Sequence, residues 1–355
     1  MPNEPSVSQL DNWPVAGHEW AVRLLQQALP ASAQSTTRLS HAYLFLGPRQ
    51  IGKSTLARAL AGALLCTGQN ARPCGRCRAC RLMAEGNHPD FRLIQPLDRD
   101  GHVDRDDGIL RADQAGDIIR DVATRPLESS YKFFVVQDVH RANDSFGNKL
   151  LKTLEEPPAH TILCLTATDR SSLLPTIVSR CQILDLRPLD PQTIAAALSA
   201  GWNVADAEAQ VLARLSGGRL GWAVQQVQRP EDAAQRTELL DSLMRLVRED
   251  RVSRLAYAEA LARNRDNRTM FALLELWATW WRDVLLVQSG CAEACSNIDR
   301  LEDLTGLARQ VSAHAVQRYL RTLKRIEGYL HHTVNTRLAL DVLLLQMPMP
   351  SRTAP

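Results

Sequence analysis

Residues 47 to 54 read Gly-Pro-Arg-Gln-Ile-Gly-Lys-Ser, directly after the apolar run Ala42 to Leu46 and opening the helical pattern Lys53 to Leu65. A glycine-rich turn between a buried strand and a helix restricts the chain to α/β folds in which backbone amides converge at a helix N-terminus. Such amides can wrap phosphate oxygens, while Lys53 reaches the beta and gamma phosphates and Ser54 holds magnesium. Gly47, Gly52, Lys53, Ser54 and Thr55 are therefore the candidate nucleotide ligands, with ATP or ADP and Mg2+ as the expected cofactors. The rival reading is a turn that binds nothing. Only five of the 42 basic residues are lysines, so a lysine at this position carries weight.

The remaining pattern extends the α/β reading. Phe133 to Val136 and Ile162 to Leu165 read as further strands separated by helical stretches, which implies a parallel wound sheet. Asn143 to Glu156 puts Phe146, Leu150, Leu151 and Leu154 on one helical stripe, capped by Asn143 or Asp144 and stopped by Pro157-Pro158. Its lysines and glutamates face outward. After Leu186, prolines 188 and 191 mark a boundary, and the pattern beyond is helical, with a break near Gly217-Gly218. No short repeat is present. Residues 1 to 12 and 349 to 355 lack periodicity and read as frayed ends.

At 355 residues the chain exceeds one hydrophobic core, so two or three domains are expected. Its formal charge of +3 excludes a protein held on nucleic acid by bulk electrostatics alone. No signal-peptide pattern is found, and the apolar stretch Leu273 to Val287 is interrupted by Glu275, Arg282 and Asp283. We expect no membrane association and a cytoplasmic protein. In that reducing compartment the eight cysteines call for metal or burial rather than disulfides.

Cys66, Cys74, Cys77 and Cys80 are spaced C-x7-C-x2-C-x2-C, enough for a closed tetrahedral site. Arg72, Arg76, Arg78 and Arg81 lie where they can favour deprotonated sulfur. Structural Zn2+ is the reading preferred; an iron–sulfur cluster and free buried thiols are the rivals. Cys164 reads as core, Cys291 and Cys295 have no further partners, and His88 before Pro89 reads as a turn residue rather than a ligand. Trp277, Trp280 and Trp281 read as a buried helical face.

Hydrolysis requires a carboxylate for magnesium at the end of a second strand and another to activate water. Here that strand ends Val136-Gln137-Asp138-Val139. In either register the carboxylate pair is incomplete, which favours binding over turnover; Asp138 is the candidate acid.

Taken in order, His41-Ala-Tyr-Leu-Phe-Leu-Gly47, the phosphate loop, the four cysteines, Asn87-His-Pro-Asp90, Leu150-Leu-Lys-Thr-Leu-Glu-Glu-Pro-Pro158, Thr166-Ala-Thr-Asp169 and Ser179-Arg-Cys181 closely resemble bacterial clamp-loader AAA+ subunits. The resemblance covers about residues 13 to 187 and, more loosely, the helical remainder, where Asn335-Thr-Arg-Leu-Ala-Leu-Asp341 resembles the last collar helix. It implies a RecA-like α/β domain with a zinc insertion over 1–187, a helical lid over 188–228 and a helical collar over 229–355. Arg180 would act in trans on a neighbour's ATP, and Thr166 and Thr168 resemble the first sensor segment. The implied partners are the gamma/tau and delta subunits, with the sliding clamp and primer-template DNA reached through the complex.

Motor members resemble Asp-Glu where this chain has Gln137-Asp138, and carry a second sensor arginine where this chain has Leu220, with Arg219 one step off. A non-motor member, weak or silent as an ATPase, fits better than an active gamma/tau-like motor. A zinc-bearing nucleic-acid adaptor is the other rival. Polymerase activity would belong to the whole assembly.

Overall fold

The computed structural model describes residues 13–30, 39–68, 72–105, 108–263, 267–330 and 335–350. Of the ends expected to fray, 1–12 and 349–355, residues 1–12 and 351–355 lie outside these, while Met349 and Pro350 are described. The chain divides into two compact units, Met1–Ala213 with Gly217–Val224, and Arg214–Ser216 with Gln225–Pro355. No described helix is long and apolar enough to cross a membrane.

The first unit opens with α1 (Glu19–Ala28), β1 (Ala42–Leu46), α2 (Lys53–Leu65) and the short α3 (Arg78–Ala84). It continues with β2 (Phe91–Ile94), α4 (Ala112–Val122), β3 (Lys132–Val136), α5 (Asp144–Glu155), β4 (Thr161–Ala167), the single-turn α6 (Pro175–Val178) and β5 (Gln182–Asp185). All pairings are parallel, in the order β2-β3-β4-β1-β5. Every residue of β1, β3 and β4 is buried, because helices cover both faces of the sheet. The two-residue period sorts the side chains. Tyr43, Phe45, Phe133, Val135, Ile162 and Cys164 pack with α1 and α2, whereas Leu44, Phe134, Val136, Leu163 and Leu165 pack with α4 and α5. The strands and helices expected at Ala42, Lys53, Phe133 and Ile162 are present, and Asn143 caps α5 by accepting the Phe146 amide at 2.8 Å. Strands β2 and β5, each four residues, went unmarked in the sequence pattern. Helices α7 (Pro191–Trp202), α8 (Asp206–Leu215) and α9 (Leu220–Gln228) follow.

The second unit is helical: α10 (Pro230–Arg248), α11 (Arg251–Arg263), α12 (Asn267–Gln288), α13 (Leu301–Ala308), α14 (Ala313–Leu330) and α15 (Thr336–Leu345). Trp277, Trp280 and Trp281 are fully enclosed, as the helical spacing implied. Two buried charges order the surrounding ends. Asp283 accepts the Ser296 and Asn297 amides at 2.9 and 2.7 Å. Among the described residues Arg254 pairs with no carboxylate; its fork donates to Leu246 O, Val247 O, Leu344 O and Met347 O at 2.9 to 3.3 Å. It thus satisfies carbonyls at the C-terminal ends of α10 and α15, favourable ground for a cation. Arg254→Leu is expected to destabilise this unit by on the order of 3 kcal/mol, because buried acceptors lose their donors. Arg254→Lys should recover little, since an ammonium cannot span both ends. Denaturant unfolding of the full chain measures both.

Candidate functional site

The residues singled out at 47–55, 138 and 166–168 come together at the carboxyl edge of the sheet. The Gly47 amide donates to Thr168 O at 3.2 Å and the Leu186 amide to Leu46 O at 2.8 Å, which fix the loop between β4 and the segment leaving β5. Gly47 has φ 140°, and a Cβ there would stand 2.4 Å from Leu186 O, so no side chain fits. Gly52, at φ 111°, starts α2 from the left-handed region. Further braces come from His18, whose Nε2 lies 3.0 Å from Ile51 O, and from the Gly221 amide, which donates to Gln50 O at 2.9 Å. A Cβ on Gly221 would sit 2.7 Å from that oxygen, so the first turn of α9 reaches the loop because it carries glycine. Neither brace was foreseen in the sequence, which has no local signal for contacts across such separations.

Lys53 is buried and folded back on the loop, donating to Gly47 O at 2.6 Å and Pro48 O at 2.7 Å. Burial lowers its pKa from 10.5 to about 8, opposed by the charge of Asp138 and reinforced by Arg49. Ser54 is half-buried and Thr55 exposed. Asp138 adopts φ 52° and ψ 49°, its amide donating to Thr166 Oγ1 at 3.0 Å. The Thr168 hydroxyl instead turns to Asp169 Oδ2 at 3.3 Å. The charge of Asp138 acts on Lys53. Gln137 is buried, and its amide meets that of Gln95 at 2.8 Å.

The Lys53 shift has a defined consequence. Below pH 8 lysine is charged in both folded and unfolded chains and the burial penalty is present in full. Between pH 8 and 10.5 the folded form loses its proton first, so stability from this group rises with pH, by up to about 3 kcal/mol. Lys53→Met is expected to flatten that rise in denaturation curves taken across this range.

The four cysteines form a second centre. Their sulfurs all lie within 4.8 Å of one another, with Cys66 to Cys77 and Cys74 to Cys80 both 3.9 Å. An ion bound by four thiolates at about 2.3 Å sets tetrahedral edges of about 3.8 Å, so the donor set fits one mononuclear ion. That spacing leaves no room for a multi-iron cluster. Backbone amides of Gly68 and Cys74 point at Cys66 Sγ at 3.3 Å, and those of Cys77 and Cys80 at Cys74 and Cys77 Sγ at 3.4 Å. Burial raises the Cys77 pKa, but the Cys80 amide and Thr67 outweigh it and bring the thiol down to about 5. Burial pushes Cys80 and Cys66 up. The expected role of nearby arginines needs correction at two positions. Arg72 Nε donates to Gly68 O at 3.1 Å, and Arg78 pairs with Glu128 at 3.0 Å, so amides rather than these guanidiniums face the sulfurs.

His88 is buried, its Nδ1 accepting the Asp90 amide at 3.1 Å, and it joins no metal-ligand group among the described residues. Asp90 accepts the amides of Leu127, Glu128 and Ser129 at 2.6 to 2.8 Å and so holds the loop that carries Glu128. Cys295 is buried and bonded to Asp283 O at 3.6 Å. Cys164 is enclosed in β4, as expected.

Arg180 follows α6, and its side chain is about one-third exposed. Nη1 donates to Thr176 O at 2.9 Å and Nη2 pairs with Glu155 Oε1 at 2.7 Å. Glu155 was expected merely to face outward; only the fold reveals its partner.

Comparison with known proteins bears on the whole of this arrangement. The family model described as DNA polymerase III, delta subunit, matches residues 20–190, and its C-terminal counterpart matches 230–348. A DNA polymerase III subunit delta' of Pseudomonas aeruginosa is 30% identical over 90% of this chain and 95% of that protein. This chain belongs to the DNA polymerase III subunit delta' family. A delta' of Bacillus subtilis is 28% identical over 87% of this chain and 91% of its own length. The tau subunit of Salmonella typhimurium is 29% identical over 96% of this chain, which spans only 55% of that longer protein. These two delta' relatives are thus covered over more than nine-tenths of their own length, whereas the tau relative extends well beyond the match.

Proposed function

We propose that this chain is the delta' subunit of a DNA polymerase III clamp loader, helping to place the sliding clamp on primer-template DNA beside gamma/tau and delta subunits. In this reading it divides into a RecA-like domain over 1–187, a lid over 188–228 and a collar over 229–355. The observation that carries the assignment of a supporting rather than a motor role is the strand end after β3. Asp138 supplies a single carboxylate, while the neighbouring position is a buried amide tied to Gln95. Without a second acid there is nothing to share magnesium binding and water activation. ATP or ADP would sit on the loop amides, with Lys53 on the phosphates and Ser54, Thr55, Asp138 and Thr168 around the magnesium and gamma-phosphate positions. The chain would hold nucleotide with little turnover of its own.

Arg180 is the residue that would act on chemistry, in trans, at a neighbouring subunit's ATP. A fixed guanidinium stabilises negative charge developing on the transferred phosphoryl group, worth about 10^3 to 10^5 in kcat at the site it serves. In a loader reconstituted with gamma/tau and delta, Arg180→Ala should cut clamp- and DNA-stimulated ATP turnover at the adjoining site by at least about 10^3-fold. Sites served by other subunits would remain active, so single-turnover measurement is the readout. Unchanged turnover would show that Arg180 has no such role.

Zinc is the ion we assign to Cys66, Cys74, Cys77 and Cys80. The all-thiolate, closed set and sulfur spacing support a structural site, in which the ion cross-links the segment between α2 and α3. Metal analysis of native chain should find zinc in equimolar amount, and strong chelation should lower the melting temperature. Retention of full stability in protein shown to be metal-free would remove the structural role.

A further inference from the structure

Glu155 sits where an acidic side chain does least for its own helix. It is the last residue of α5, beside the partial negative charge of the helix C-terminus, where cations are favoured. Its carboxylate is about half exposed, and so contributes little to stability as an ion-pair partner. Its position is nevertheless rigidly set. The preceding residue, Leu154, is buried along with Phe146 and Leu150, and Pro157-Pro158 follows after one further residue, Glu156. Alpha-five also lies close to the residue that caps α6: a Cβ on Gly147 would meet Leu174 at 3.2 Å. That approach lies at the start of α5; at its other end Glu155 meets Arg180 directly.

The guanidinium is held at two points on separate elements. Nη1 takes the Thr176 carbonyl at 2.9 Å, with Ser179 Oγ at 3.4 Å, and Nη2 takes Glu155 at 2.7 Å. Two anchors fix the plane of a rigid fork, and the Nε–H makes no bond among the described residues. A long side chain fixed before its target arrives loses less rotamer freedom on reaching it. We infer that Glu155 is a positioning residue that orients Arg180 for its action on a neighbouring subunit. The inference rests on the trans-acting role proposed for Arg180.

The test uses the reconstituted loader and titrates this chain against fixed gamma/tau, delta, clamp and primed DNA. Glu155→Ala is expected to lower single-turnover ATP hydrolysis at the adjoining site about 3- to 10-fold at saturating chain, because misplacing a reacting group is costly even when binding is intact. The chain concentration giving half-maximal stimulation should stay unchanged. Glu155→Gln, which keeps an acceptor of the same length, should restore most of the rate. Combining Glu155→Ala with Arg180→Ala should do no more than Arg180→Ala alone, a non-additivity that a general structural defect would not produce. Should Glu155→Ala fold poorly, judged by melting and metal content, Glu155→Gln against Glu155→Asp keeps the comparison, with the shortened acid expected to be slower. If Arg180→Ala slows turnover but the Glu155 variants match wild type, the positioning role is wrong and the finger stands. If both Glu155→Ala and Glu155→Gln accelerate turnover, the carboxylate restrains Arg180 and the inference is overturned. An unaffected Arg180→Ala would remove both.

Discussion

The placement of β1 between β4 and β5 governs the candidate nucleotide site. Both neighbours reach past the end of β1: Thr168 O takes the Gly47 amide, and Leu186 donates back to Leu46 O. The Leu186 carbonyl then lies where a side chain on Gly47 would have to be. The loop is therefore shaped by sheet register rather than by its own residues, and His18 and Gly221 brace it from outside. Altering either flanking strand end would move the loop amides before it touched any residue of the motif.

Helix α2 joins this site to the cysteine centre. It begins at Gly52 in the phosphate loop and ends at Cys66, the first sulfur of the cluster, about 20 Å away by helical rise. The cysteine segment is tied down at further points: Trp13 Nε1 donates to Arg72 O at 2.9 Å, and Arg78 pairs with Glu128 on the loop held by Asp90. A metal that locks the four sulfurs would thus steady the distal end of the helix that starts at the glycine-lysine loop. The charges at that N-terminus are economical. Lys53 is the buried cation, Asp138 supplies the opposing charge, and Gln137 contributes none.

Much of the fold was legible because its signals are local. The run Ala42–Leu46, the capped and proline-stopped α5 and the C-x2-C-x2-C spacing each reflect chemistry within a few residues, and each appears where expected. Strands β2 and β5 escaped notice because four residues with partly exposed positions have too little period to distinguish them from loop. The arginines around the cysteines were misleading for a related reason. Proximity in sequence suggested that they favour deprotonated sulfur, but long flexible side chains seek carbonyls and carboxylates brought near by folding, Gly68 O for Arg72 and Glu128 for Arg78.

Sequence by itself determined the residue types: a glycine-lysine loop, four thiols at ligand spacing, an incomplete acid pair and an arginine in Ser179-Arg-Cys181. Tertiary structure decided which of these meet. The charge of Asp138 acts on Lys53 while Gln137 turns to Gln95, and Glu155 at the end of α5 pairs with Arg180. The physical reason is that motif chemistry depends on neighbours along the chain, whereas electrostatic partnership falls off with distance in space. Only the packed sheet and helices set those distances.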